Sequence, residues 1–270
     1  MQILKPLLAV LAALLPQLAS AGAAKLFIHP TLIELDDRQR SATLSVVNRG
    51  DAVGTFAIDW IDYAMTEEGG LTVADGDAAW SLQPHIRYSP RRVTLRPGET
   101  QTVKLALRRR DGVLEGEYYS HLKVLVLNDD VAASSGAAED PAAGESLIID
   151  ARSAIAVPVV WRNTSAEPRA VIDAVVIDRE EQALHVRISR VGDLSTRGFL
   201  HVVRIGGDGA RTPLTQPLPL VIYPSVEQRT ATVPLASAAV EGQGSVEVIY
   251  SSNAETNDAA AAFASYTLAP

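Results

Sequence analysis

Residues that could do chemistry are present, but their spacing brings no catalytic set together. The five histidines, His29, His85, His121, His185 and His201, fall at no metal-ligand spacing, and cysteine is absent. Neither a thiolate metal site nor a disulfide is available. Asp75 and Asp77 flank Gly76, but the alternating oxygen ligands of a calcium loop do not follow, and the triplet reads as a turn. No glycine-rich phosphate loop, nucleophile elbow or paired-carboxylate motif occurs. Arg108-Arg109-Arg110 reads as a solvated strand end, and Arg91-Arg92, beside Pro90, as a turn. No enzyme, cofactor, metal or small-molecule substrate is expected. The chemistry on offer is recognition, through strand edges, apolar alternation and a few placed cations such as Arg162.

The elements that position such groups are strands. Residues 146–161 read S-L-I-I-D-A-R-S-A-I-A-V-P-V-V-W, a long β-branched stretch. At period two, Leu147, Ile149, Ala151, Ser153, Ile155 and Val157 share one face. Arg152, Ala154, Ala156, Pro158 and Val160 share the other. Pro158 has no N–H to give to a ladder, which places this strand at a sheet edge or ends its pairing there. An apolar edge invites another chain to add a strand.

The chain has 270 residues, 47% of them hydrophobic, enough for two ordinary domains with full cores. A formal net charge of -8, with both signs interspersed, argues against a nucleic-acid partner, which requires a basic face. Residues 1–21 read as a secretory signal peptide. Lys5 supplies the positive end, residues 7–15 the apolar centre, and Ala19-Ser20-Ala21 a small-residue cleavage site, with cleavage after Ala23 as the alternative. The apolar run is short for a membrane span, so the expectation is an exported, soluble chain.

Beyond the signal, strand patterns recur at regular spacing. Pro30 divides the apolar stretch 26–35, and the buried parity changes across it. Leu44 and Val46 alternate before the turn Asn48-Arg49-Gly50; Phe56, Ile58 and Trp60 follow; Val103, Leu105 and Leu107 follow the turn Arg96-Pro97-Gly98-Glu99. Residues 118–127 read as a central strand. Such spacing predicts an all-β sandwich of about seven strands. Residues 128–145 are small, acidic and turn-rich, and read as a long functional loop. Residues 163–168 read as a linker. Strands resume with Leu184, Val186 and Ile188, and end with residues 263–268. The expected division is a signal over 1–21, a first domain over 22–163 and a second over 164–270.

Several motifs together resemble the PapD-type periplasmic chaperones of the chaperone–usher pilus pathway, in a form closer to the non-enterobacterial members. They are Arg40-Ser41-Ala42-Thr43-Leu44 leading to Asn48-Arg49-Gly50, Tyr88-Ser89-Pro90-Arg91-Arg92, Leu95-Arg96-Pro97-Gly98-Glu99 with Gln101, Gly116-Glu117-Tyr118, and the apolar stretch 155–161 with Arg162. In the second half they are Ser189-Arg190-Val191-Gly192, Gly198 and Tyr223-Pro224. Their order and spacing span nearly the whole mature chain.

The resemblance implies two immunoglobulin-like β-sandwich domains set at an angle with a cleft between them, located in the periplasm. It implies a pilin-like subunit lacking a strand as partner, complemented by a donor strand of the chaperone and delivered to an outer-membrane usher. Leu147, Ile149 and Ala151, with Ser153, Ile155 and Val157, are then the donor residues. From the pattern alone, Leu147 and Ile149 serve equally well as core of the first sandwich. Where the family holds the subunit's terminal carboxylate with an Arg and a Lys, this chain has Leu32 and Pro158. Arg152 is the nearest local substitute as an anchor. Tyr119 stands where relatives carry Arg. Arg162, at the hinge, is expected to pair with Glu115 or Glu117. The competing readings are an exported adaptor that has lost subunit transfer, and a two-domain surface adhesion or structural protein.

Overall fold

Period-two alternation becomes buried and exposed faces in a computed structural model, which describes residues 23–74, 76–108, 113, 115–127, 153–236, 244–255 and 262–268. The first half contains β1 (Leu26–His29), β2 (Ile33–Leu35), β3 (Ser41–Asn48), β4 (Gly54–Ile61), β5 (Tyr63–Met65), β6 (Leu71–Val73), β7 (Ile86–Ser89), β8 (Arg92–Leu95), β9 (Thr100–Leu107), β10 (Gly116–Leu127) and β11 (Ala154–Asn163). One sheet runs β1-β3-β9-β7, the other β2-β11-β10-β4-β8, and β5 and β6 form a separate hairpin. Leu44 and Val46 of β3, Val103 and Leu105 of β9, Phe56 of β4, and Leu122 and Val124 of β10 meet between the sheets. Burying such a side chain contributes about 1.5–3 kcal/mol, which is why the alternation selects this layering.

The change of parity at Pro30 is a change of sheet. β1 pairs antiparallel with β3, and β2 pairs parallel with β11. Ile28 on one side of the crossing and Ile33 and Leu35 on the other all point into the core. Turn chemistry fixes the neighbouring connection. The buried Asn48 amide donates to the carbonyls of Ala52 (2.7 Å) and Leu95 (3.0 Å), and its Oδ1 accepts from Gly50 N (3.0 Å).

The second half contains β12 (Arg169–Asp178), β13 (Ala183–Val191), β14 (Thr196–Ile205), β15 (Arg211–Pro213), β16 (Leu218–Ile222), β17 (Gln228–Pro234), β18 (Ser245–Ser251) and β19 (Ala264–Leu268). One sheet runs β12-β13-β17; the other runs β15-β14-β18-β19, with β16 also paired to β14. Leu184, Val186, Ile188, Leu200, Val202, Val248 and Tyr250 form a second core, separate from the first. The protein is all-β, built as two sandwiches. Among the described residues, no helix is long and apolar enough to cross a membrane.

Candidate functional site

The long stretch singled out in the sequence ends in β11. It pairs with β10 from Gly116↔Asn163 to Leu125↔Ala154. On its other side β2 covers only Val159, Val160 and Trp161. Among the described residues, no strand pairs with that side over residues 154–158, and the edge is open in that sense. Val157, Val159 and Trp161 point into the first core. Ile155, of the same parity, is 39% exposed, on the stretch of β11 that β2 does not cover. Ser153 is exposed, and its carbonyl accepts from Val126 N at 3.0 Å.

Val157 corrects the sequence reading. At 2% exposure its side chain belongs to the chain's own core and is not available to fill a partner's groove. Strand parity alone could not separate it from Ile155, because parity gives the face of a strand and not how far along it that face is covered. Leu147, Ile149, Ala151 and Arg152 lie outside the described residues, as do Asp75, Arg109 and Arg110.

Arg162 is brought to Glu117, directly opposite it on β10. Its Nε donates to Glu117 Oε2 at 2.9 Å, and a terminal nitrogen lies 3.6 Å from Glu34. The Glu117 side chain is fully buried, and the same Oε2 accepts from the backbone N–H of Ser195 at 3.3 Å. One carboxylate therefore ties β10 and β11 of the first sandwich to the β13–β14 connection of the second. The partner is Glu117, not Glu115.

Around this tie lies an aromatic junction that the sequence did not reveal. Tyr119 stacks between Trp80 (4.4 Å between centroids) and Tyr223 (4.6 Å), each at 10°. Its Oη lies 2.9 Å from both the Tyr63 carbonyl and Ser225 Oγ, and burial pushes the phenol's pKa up. Ser225 Oγ also accepts from Met65 N at 3.0 Å. Farther along the β5–β6 hairpin, Glu67 accepts from Thr230 N (2.7 Å) through its carbonyl and from Gln228 Nε2 (2.9 Å) through its carboxylate. The hairpin is thus a strap of the first sandwich fastened to β17. Gly69, with φ 86°, lies so close to Arg229 that a Cβ would stand 2.3 Å from the guanidinium. Tyr119, read as a departure from the family pattern, is the centre of this junction. Tyr223-Pro224 was the available signal on the other side.

The positions aligned with the family's anchors are apolar here too. Leu32 packs against the junction cluster of Met65, Tyr119, Val160 and Tyr223, and Pro158 lies opposite His121. Cations enter from the second sandwich instead. A cavity of about 620 Å³ at the junction is lined by Glu34, Arg162, Glu167, Arg197, Arg229 and Phe263, among others. Arg197 donates to the Tyr223 hydroxyl at 3.4 Å and lies 5.8 Å from that ring's centroid. Arg229 donates to the Val221 carbonyl at 2.8 Å, while its buried Nε has no hydrogen-bond partner among the described residues. Burial lowers the Arg229 pKa, as expected for a cation withdrawn from water without a counter-ion. Among the described residues neither arginine pairs with a carboxylate.

His121 faces Tyr63, Tyr119 and Tyr223 at centroid distances of 5.0, 6.2 and 5.8 Å. Burial pushes its pKa down to about 4. His85 packs against Tyr118 and Trp161, and His29 is exposed. His201 Nε2 lies 3.0 Å from the Asn253 carbonyl and 3.2 Å from Ser251 Oγ. With its N–H given to the carbonyl, that nitrogen has no lone pair for the serine. Chemically, the junction can pair a strand, bury apolar side chains and hold an anion.

No family model matches the chain, and no curated protein does. Several solved structures are similar in fold. One is the CsuC–CsuE chaperone–tip adhesion subunit pre-assembly complex from archaic chaperone–usher Csu pili of Acinetobacter baumannii, at 10% identity and a TM-score of 0.46, over 84% of this chain and 93% of that one. Another is a chaperone–tip adhesin complex of CFA/I fimbriae biogenesis, at 10% identity and 0.48, over 91% and 98%. A third is the Pseudomonas aeruginosa CupB2 chaperone, at 11% identity and 0.45, over 90% and 97%.

Proposed function

We propose that the chain is a non-enzymatic periplasmic chaperone that lends its β11 edge to a pilin-like subunit lacking a strand, and delivers that subunit to an outer-membrane usher. The observation that carries this reading is the open edge over residues 154–158. There the core-facing parity of Val157, Val159 and Trp161 runs out to an exposed Ile155. Continued along the sequence, the same parity reaches Ala151, Ile149 and Leu147. A subunit with an unfilled groove exposes apolar surface and unpaired backbone. A donor strand satisfies both, the ladder through its backbone and the groove through alternate side chains.

Arg197 and Arg229 are the better candidates for holding a subunit's terminal carboxylate, ahead of Arg152. Each guanidinium lines the junction cavity without a carboxylate partner among the described residues, and a carboxylate would supply a charge-assisted partner there.

The test is co-expression of the chain with a pilin-like subunit that it protects in the periplasm, followed by pull-down. Replacing Leu147 and Ile149 together by Asp is expected to abolish capture while the chaperone still folds, since the pair brings unpaired charge into the groove. Undiminished capture by a folded Asp pair overturns the donor-strand reading. Arg197→Ala is expected to weaken capture more than Arg152→Ala; the reverse order returns the anchor to Arg152.

A further inference from the structure

The β12–β13 connection brings together three side chains that the binding site does not use. Asp178 ends β12, His185 lies in β13, and Glu181 sits in the turn between them. One ligand-type atom from each lies within 4.8 Å of the others. His185 Nε2 and Glu181 Oε2 are 3.6 Å apart. Ligands bound tetrahedrally at about 2.0–2.1 Å stand roughly 3.3–3.4 Å from each other, so this pair is within a few tenths of an ångström of that spacing.

The imidazole is oriented from outside the trio. Its Nδ1 lies 3.2 Å from Thr232 Oγ1, on the adjacent strand β17. When Nδ1–H donates to that hydroxyl, Nε2 turns its lone pair toward Glu181. A lone pair against a carboxylate is repulsive unless a proton or a metal ion lies between them. Such a second partner on the far nitrogen is how metal-bound histidines are held in place. The Asp178 carboxylate is oriented as well, since its Oδ1 accepts from the N–H groups of Glu180 and Glu181 at 2.9 Å each. Among the described residues, no lysine or arginine forms an ion pair with Asp178 or Glu181; the histidine is the only cationic partner available.

We propose that Asp178, Glu181 and His185 form a zinc-class metal site, completed by water on the exposed side of Glu181. One imidazole with two carboxylates suits zinc, whereas magnesium and calcium favour larger all-oxygen shells. The site would clip the turn to both strands of the hairpin, independently of the β11 edge and the junction cavity.

The experiment is isothermal titration of the full, tag-free chain, stripped with EDTA, against zinc chloride, with magnesium and calcium chlorides as comparators. One zinc per chain is expected, with no comparable binding of the other two ions. His185→Ala and the exposed-turn variant Glu181→Gln are each expected to weaken zinc binding at least about tenfold, and Thr232→Val about 10–100-fold through loss of orientation. Circular dichroism checks that each variant keeps the wild-type fold. Absence of saturable zinc binding, or wild-type affinity in either His185→Ala or Glu181→Gln, overturns the proposal and leaves an ordinary His–Glu contact.

Discussion

Glu117 Oε2 accepts two hydrogen bonds that belong to different sandwiches, from Arg162 Nε at 2.9 Å and from Ser195 N at 3.3 Å. The carboxylate is fully buried and Arg162 is 29% exposed. Removing the guanidinium would leave the acid in place without its counter-charge. Arg162→Ala is therefore expected to destabilise the protein by about 3 kcal/mol, toward the lower end for breaking a buried pair, because the arginine keeps some water. Urea denaturation measures the loss, and solution scattering measures the loosening of the two sandwiches. A loss below about 1 kcal/mol, as for a surface pair, with unchanged scattering, would show that the tie does not set the domain arrangement.

The stacked rings of Trp80, Tyr119 and Tyr223 make a second, apolar tie. Truncating a large buried aromatic costs about 3–5 kcal/mol, and Tyr119→Ala is expected to fall in that range. Tyr119→Phe keeps the stack and loses only the hydroxyl's contacts with Tyr63 and Ser225, a loss of about 1 kcal/mol. Equal losses from the two variants would mean that the hydroxyl, not the stack, holds the junction.

The junction is also expected to be acid-sensitive. His121 is kept neutral by burial, its pKa pushed down to about 4 against Asp62, which raises it, and Arg197, which lowers it. Unfolded, the same ring takes a proton near pH 6.5. Between about pH 6.5 and 4 the unfolded chain therefore binds more protons, and stability falls as pH drops through that window. A shift of this size corresponds to about 3 kcal/mol, at 1.36 kcal/mol per unit. Denaturation of wild type and His121→Phe at pH 7.5 and pH 4.5 gives the comparison. The variant is expected to lose clearly less stability on acidification; equal losses would place the acid sensitivity elsewhere.

What the sequence made legible was what depends on near neighbours. Leu44 and Val46, or Leu184, Val186 and Ile188, declare their strands by period two, and all are buried. Pro30 announced the change of face that proved to be a change of sheet. The Arg162–Glu117 pair was within reach because the end of one long strand had to face the start of another. The strap was not legible, because Met65 and Ser225, or Glu67 and Gln228, are about 160 positions apart. The turn at residues 67–69, with Gly69 and Gly70, is a local feature, yet nothing local says that it docks on β17. The cations of the junction cavity were missed for the same reason. Arg197 and Arg229 look like ordinary strand residues until the fold sets them in a cavity wall where, among the described residues, neither pairs with a carboxylate.

Gly69 offers a direct handle on the strap. Its φ of 86° is a left-handed conformation, and any Cβ would meet the Arg229 guanidinium. Gly69→Ala is expected to cost about 1–2 kcal/mol from the backbone alone, and to displace Arg229 from the cavity. If Arg229 helps to hold a carboxylate, the variant also weakens capture of a subunit in the pull-down. Wild-type stability and capture together would mean that the hairpin tip moves aside without consequence.

Ile155 and Val157 lie two residues apart on one face of β11, and they separate binding from folding. Val157 is 2% exposed and packed in the first core, whereas Ile155 is 39% exposed at the open edge. An aspartate at 157 would bury an unpaired charge, and Val157→Asp is expected to prevent the first sandwich from folding. Ile155→Asp places its charge where water reaches it and should change stability by about 0.5 kcal/mol or less, as for a surface substitution. If the edge accepts a partner strand, the same carboxylate is drawn into an apolar groove in the complex, and capture is lost. The informative measurement is therefore a pair for each variant, the denaturation midpoint of the free chain and the yield of co-purified subunit. Ile155→Asp with wild-type stability and no capture assigns the exposed end of β11 to the partner. Ile155→Asp with wild-type stability and full capture moves the contact away from residue 155. Loss of stability in Ile155→Asp would instead show that the first core extends farther along the strand than its exposure indicates.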